Sequence, residues 1–294
     1  RFDVGGDVCF GPVRRIGAHV ELQWRDQGRF RRFYRSSTWL YETYGWLEFE
    51  NAGTLKIGQV WRRFGLDTEG TFWGHAPYYN GQTFDPDLMA SWEATWGDER
   101  FAVDTFVQLY YGEDGINGSV TGGDAESSKI YDEGFGLGLR AVPTWTSDRT
   151  SFALGVSGFA QEIEADGTVK DDVSYGAALD ATFQWCGLKV FGAWYRLWGT
   201  VNEAHYITGG PTDRKDVATA GVGWTLGALT PRASYSYGTY ADPDGWESIW
   251  VVGFDLNVTS WLILTLEYVN QVGDGGALDG TIEEGLQLVL NWNV

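Results

Sequence analysis

The chain lacks any apolar run that could cross a membrane as a helix. Its longest apolar stretch, 261–269, is broken by Thr265 and Glu267, whereas a spanning helix needs about 18 or more consecutive apolar residues. Cysteine is scarce. Cys9 and Cys186 lie far apart in the sequence, so no disulfide framework is legible and unpaired thiols fit equally well. Histidine is limited to His19, His75 and His205, and no nucleophile–histidine–acid spacing stands out from the general supply of serines and acids. No catalytic residues are expected, and the chain is read as not an enzyme. Positive charge is also in deficit: 21 Lys and Arg stand against 40 Asp and Glu, for a net charge of −19. That balance argues against a nucleic-acid partner. No leader is legible before Arg1, so the chain is read as mature or trimmed.

What is abundant is glycine, aromatic residues and alternation. Glycine contributes 41 of 294 residues, about twice its usual share. Trp, Tyr and Phe number 16, 15 and 16, more than a soluble core requires. Along 173–185, Val173, Tyr175, Ala177, Leu179, Ala181, Phe183 and Trp185 alternate with Ser174, Gly176, Ala178, Asp180, Thr182 and Gln184. The end of the chain repeats the pattern, with Ile282, Leu286, Leu288, Leu290 and Trp292 against Glu283, Gln287 and Asn291. A period of two defines a strand with one apolar and one polar face. The polar faces are rich in small residues and the apolar faces nearly free of charge. A soluble sandwich has the opposite need, because its outer face meets water. The mean hydropathy of −0.25 is what a membrane barrel gives, since half of each strand is polar.

Fourteen strands are expected, at 13–25, 38–50, 54–61, 87–96, 100–111, 130–146, 150–162, 172–185, 188–198, 216–226, 229–240, 246–258, 261–271 and 281–294. In the segment 188–198 the face expected toward lipid is Phe191, Ala193, Tyr195 and Leu197. Connections alternate between turns of two or three residues and longer loops, as in outer-membrane barrels. Antiparallel closure requires an even count. Residues 1–11 also alternate and are read as a lead-in segment. Counting both 1–11 and 29–35 gives sixteen strands, the alternative. The expected fold is all-β: one transmembrane antiparallel up-and-down β-barrel domain over 1–294.

Parity places charges on the inner face. The acids are Glu21, Glu42, Glu48, Glu93, Asp104, Asp132, Asp180, Asp255, Glu267 and Glu283, and the bases are Arg15, Arg25, Lys56, Arg140, Arg196 and Arg232. A lumen in which acids outnumber bases should favour cations weakly. The cluster Arg25, Arg29, Arg31, Arg32 and Arg35, with Arg62 and Arg63, pulls the other way. The expected pore lining is Arg25, Arg62, Arg63, Arg140, Arg196, Arg232, Glu21, Glu42, Glu93, Asp104, Asp180, Asp255 and Glu267.

The longest connection, 62–86, carries several aromatics together with Asp67, Glu69 and Asp85, and Asp87 follows it directly. A long ordered loop in a compact domain is usually functional, and its aromatics need a surface to pack on. One reading folds it inward as a constriction, with Asp67, Glu69, Asp85 and Asp87 facing the basic residues. The other makes it an outer cap. Asp242, Asp244 and the acids of 274–279 fit no calcium-loop spacing and read as solvated turns. No metal site and no cofactor are expected.

The stretch Leu55-Lys56-Ile57-Gly58-Gln59-Val60-Trp61-Arg62-Arg63-Phe64-Gly65-Leu66-Asp67 resembles the segment by which phosphate-selective-type bacterial outer-membrane porins leave an early strand for a long loop. The resemblance implies a loop that constricts the pore and basic side chains that line it. The chain departs from it by ending in Trp292-Asn293-Val294 and by being short for sixteen strands. The expected function is passive diffusion of small hydrophilic solutes or ions across the bacterial outer membrane, with outer-membrane lipid as the surrounding partner. The chain is expected as a monomer or a homo-oligomer such as a trimer. The alternative is a plugged structural barrel that anchors an envelope complex.

Overall fold

The computed structural model describes residues 2–24, 38–66, 86–111, 131–165, 172–201, 212–241, 244–259, 262–275 and 278–292. Fifteen strands form one sheet: β1 (Phe2–Phe10), β2 (Val13–Trp24), β3 (Thr38–Phe49), β4 (Gly53–Trp61), β5 (Pro86–Gly97), β6 (Phe101–Tyr111), β7 (Tyr131–Thr146), β8 (Thr150–Ala165), β9 (Asp172–Trp185), β10 (Leu188–Val201), β11 (Thr212–Trp224), β12 (Leu229–Ala241), β13 (Asp244–Thr259), β14 (Leu262–Gly275) and β15 (Leu278–Trp292). Each strand pairs antiparallel with its neighbour in sequence, in the order β1 to β15. This is the up-and-down topology of an outer-membrane β-barrel.

Among the described residues the count is fifteen, where about fourteen were expected and sixteen was the alternative. The added strand is β1, which pairs with β2 from Phe2↔Val20 to Phe10↔Val13, so residues 2–10 are wall and not a lead-in. Phe2, Val4 and Phe10 face outward and are exposed, while Asp3 and Asp7 meet His19 and Arg15 of β2. The candidate strand at 29–35 lies outside the described residues.

The outward face follows from the lipid solvent. Exposed aliphatic residues such as Val107, Leu109, Leu137, Leu139, Leu154 and Val156 form a band. Exposed aromatics flank it on both sides, with Trp96, Trp145, Trp185 and Trp224 near the short turns, and Tyr111, Phe135 and Tyr175 near the long connections. Phe135 and Trp145 stand ten residues apart on β7. At a rise of about 3.3 Å per residue and a tilt of about 40°, that distance projects to about 25 Å, the height of the apolar band of a membrane barrel.

One rim is built from tight turns. Asp98, between β5 and β6, accepts hydrogen bonds from the Arg100 and Phe101 amides at 2.8 and 3.0 Å, the local bond that makes Asp a turn residue. Cys186 closes the β9–β10 turn with φ at 46°. It is a free, exposed thiol, while the Cys9 side chain lies outside the described residues.

Strand β10 reverses the expected faces. Ala193, Tyr195 and Leu197 point inward, with Tyr195 and Leu197 each 1% exposed, and Trp194 and Trp198 point outward. The register fixes this arrangement. Tyr195 sits between Ala178 and Val217, both buried on the inner face. Both faces of β10 are apolar, so hydropathy alone does not orient it. The inner face wins Tyr195 and Leu197 because an apolar partner waits for them inside.

Candidate functional site

That partner is the chain segment leaving β4. After Trp61 the backbone turns away from the wall, and residues 62–66 enter the concave side of the sheet. The Gln108 side-chain amide donates to the Trp61 carbonyl at 3.0 Å, and its oxygen accepts the Arg63 amide at 2.7 Å. The Gly65 amide donates to Ser157 Oγ on β8 at 3.1 Å, and the Leu66 amide donates to the Tyr195 hydroxyl on β10 at 3.0 Å. Phe64 packs edge-on against Phe159 with centroids 4.9 Å apart, and lies 5.9 Å from the Tyr195 ring. Phe64, Gly65 and Leu66 are all buried. The segment therefore reaches from β4 past β6 to β8 and β10, and every contact named is on the inner face.

The physical chemistry of each step is local. A buried backbone N–H needs an acceptor, and its loss costs about 1–3 kcal/mol; Ser157 and Tyr195 supply acceptors where no sheet neighbour can. Burying Phe64 and Leu66 contributes about 1.5–3 kcal/mol each relative to exposure. Gly65 has φ at +73°, and a Cβ there would collide with the Tyr195 ring. Only glycine suits that position without strain. Glycine also opens the wall for the aromatics: a Cβ at Gly136 would overlap the Tyr110 ring.

Arg62 is buried, with its guanidinium 4.5 Å from the Tyr110 ring centroid, a cation–π geometry. Arg63 lies 5.7 Å from the Phe106 ring. Both expected lining arginines thus flank the root of the inward segment.

The remaining inner charges occur in pairs, some between neighbouring strands and some across an intervening one. Arg140 on β7 makes a bidentate contact with Asp180 on β9 at 2.6 and 3.0 Å, and also donates to Ser157 at 2.7 Å. Lys56 meets Glu93 at 2.7 Å, and Lys215 meets Glu247 at 3.4 Å. Arg232 contacts Asp255 at 3.1 Å and also pairs with Glu267, which is fully buried. Asp104 accepts from Thr95 at 2.5 Å. On the first three strands His19, Glu21 and Glu42 converge.

Most of the expected lining is therefore on the inner face: Arg62, Arg63, Arg140, Arg232, Glu21, Glu42, Glu93, Asp104, Asp180, Asp255 and Glu267. Arg196 is not, and this corrects the expectation. It alternates with the inward Tyr195 and Leu197, is about half exposed, and pairs outward with Asp216 at 2.7 Å. Its placement followed from assigning the wrong face of β10. Arg25 and the acids Asp67, Glu69 and Asp85 lie outside the described residues. Asp87 belongs to β5, opposite Val60, and not to the loop.

Sequence reasoning missed the apolar part of the lumen. Val217, Ile249, Val251 and Val269 are buried on inner faces and join Phe64, Leu66, Phe159 and Tyr195 in one cluster. Their signal was visible as strands apolar on both faces, notably β10 and β13.

No protein-family model and no curated protein matches the sequence. Among solved structures the chain is similar to OmpT, an outer membrane protein of Vibrio cholerae, at 11% identity and a TM-score of 0.64, over 99% of this chain and 87% of that one. It is similar to the anion-selective porin of Comamonas acidovorans at 12% identity and a TM-score of 0.62, over 99% and 84%. The OmpF of Salmonella typhi, solved in complex with daunomycin, aligns at 10% identity and a TM-score of 0.63, over 91% and 81%. At such identities the likeness is one of fold: the chain has the architecture of outer-membrane β-barrels, porins among them.

Proposed function

We propose that this protein is a channel of the bacterial outer membrane that passes small hydrophilic solutes or ions by diffusion. The observation that carries the reading is the segment 62–66, which leaves β4 and packs on the inner faces of β8 and β10. An inward segment narrows a wide barrel without closing it by chemistry. The fold likeness to an anion-selective porin and to OmpF supports the reading. Barrels with about sixteen strands leave an aqueous path. The mechanism is steric sieving at the inward segment combined with an electrostatic filter, and it needs no covalent step or cofactor.

The filter is weakly cation-preferring in this reading. The inner bases Arg140, Lys215, Arg232 and Lys56 each face a carboxylate, which leaves little free positive field. Glu21 and Glu42 add negative charge on the first three strands. The phosphate-selective type implied by the stretch 55–67 would instead need Arg62 and Arg63 to face solute.

A second reading, a plugged barrel serving as an envelope anchor, is favoured by the buried apolar cluster on the inner wall. Single-channel current in a planar bilayer separates the two, with the reversal potential taken under a KCl gradient. Stable ohmic steps with a cation-selective potential are expected. A folded, heat-modifiable barrel that carries no current would remove the channel reading and leave the anchor.

A further inference from the structure

His19 occupies an unusual position on β2. Its ring is 1% exposed and stacks on Tyr44 of β3 with centroids 4.8 Å apart. Nδ1 lies 2.5 Å from Asp3 Oδ1 of β1. A carboxylate only accepts, so Nδ1 carries the proton. Nε2 is buried and has no hydrogen-bond partner among the described residues. It faces two carboxylate oxygens, Glu21 Oε2 and Glu42 Oε2, each at 3.8 Å. One donor atom from each of the three residues falls within 4.8 Å of the others. Glu42 is aimed there by its second oxygen, which accepts the Trp61 amide at 3.3 Å.

We propose that His19 Nε2, Glu21 and Glu42 form a binding site for a divalent first-row transition cation such as zinc. A distance of 3.8 Å is too long for a hydrogen bond. It is close to the spacing of two donors that share an ion through bonds of about 2.0–2.2 Å. A lone pair aimed at two carboxylates is repulsive until a cation stands between them. One imidazole nitrogen with two carboxylate oxygens is a donor set used by zinc and related ions, and three protein ligands leave a position for water. The Asp3 contact matches the carboxylate–histidine–metal arrangement, in which an outer carboxylate fixes the tautomer and raises ligand basicity. Of the neighbouring cations, Lys56 meets Glu93 and Arg63 lies over Phe106, and both also act electrostatically on Glu42.

The ion would tie β2 and β3 directly and β1 through Asp3. Through Glu42 and the Trp61 amide it would also hold the root of the inward segment. The site does not require an open lumen, so its fate is separate from that of the channel reading.

The test uses the full chain, refolded in detergent after chelation, with Co²⁺ as an absorbing probe and Zn²⁺ by titration calorimetry. Wild type should bind one equivalent of Co²⁺ with visible absorption from a nitrogen-containing, low-coordinate site, and Zn²⁺ should displace it. Exposed carboxylates bind such ions weakly and without that absorption. His19→Asn should abolish the absorption and weaken Zn²⁺ binding at least 100-fold, and Asp3→Asn should weaken it about 10–100-fold. Should His19→Asn fail to fold, the Glu21→Gln/Glu42→Gln double variant carries the test, with the same loss expected. Absence of the absorption in folded wild type, or its persistence in either variant, overturns the site.

Discussion

The hydroxyl of Tyr195, on β10, accepts the amide hydrogen of Leu66 at 3.0 Å, joining two residues 129 positions apart in the chain. Tyr195 is 1% exposed, so the bond forms out of reach of bulk water. Replacing Tyr195 by Phe keeps the ring and strands the Leu66 amide. A loss of about 1–3 kcal/mol is expected, read as a lower urea midpoint for the refolded barrel. In the channel reading the variant should also show larger open-state current noise, since the inward segment loses one of its backbone anchors. An unchanged midpoint would mean that the amide finds another acceptor.

Gly65→Ala tests the same joint from the other side. The left-handed backbone at +73° and the collision with the Tyr195 ring both oppose a Cβ. A cost of about 1–3 kcal/mol is expected from the backbone strain, with more if the ring cannot move. Gly6→Ala, where no atom lies within 4 Å of the added Cβ, is the control and should leave the midpoint almost unchanged.

The Arg140–Asp180 pair is buried on both sides. Asp180→Asn leaves a guanidinium without its counter-charge and should destabilise by about 3–5 kcal/mol. Replacing both residues by apolar side chains of similar size, Arg140→Met with Asp180→Leu, should recover most of that loss. A double variant as unstable as the single would show that Arg140 matters through Ser157 as much as through its charge.

Asp98 gives a pH dependence outside the membrane-spanning strands. Hydrogen bonds from the Phe101 amide first, and the Arg100 amide second, hold its carboxyl below the usual carboxylate value. A depressed folded-state pKa means that the carboxylate's contribution is complete above the unfolded value. It is lost as pH falls through the folded one. Amide-exchange protection at Phe101 should therefore persist at neutral pH and fall only in acid, below the ordinary aspartate range. Asp98→Asn should remove that acid-dependent step. An identical acid step in the variant would assign it to another group.

Much of the wall was legible because lipid imposes one rule on every strand. Trp92, Leu109, Leu139, Leu179 and Val252 are outward, as their period of two requires. The inner face obeys no single rule. Where it meets water or ion pairs it is small and polar, and Arg140, Asp180 and Glu93 fall where parity sets them. Where it meets Phe64 and Leu66 it is apolar, and Tyr195 and Leu197 could be oriented only by the register with Ala178 and Val217. Strand β1 was set aside for a different reason: residues 1–11 do alternate, but even-number parity argued against adding that strand alone. The convergence of His19, Glu21 and Glu42 needed the pairing of β2 with β3. The sequence places Glu42 21 residues beyond Glu21, with no local motif to join them.

The run from Trp61 to Leu66 also has a mechanical meaning. A cylindrical sheet resists stretching along its strands but flattens easily under lateral load. A chord fixed to β4 at one end, and to β8 and β10 at the other, turns the hoop into a braced ring. Load that presses those walls together is met along a short peptide strut. Cutting the strut would then change the shape of the whole cross-section, and in the channel reading solutes would feel that change even where they never touch the cut.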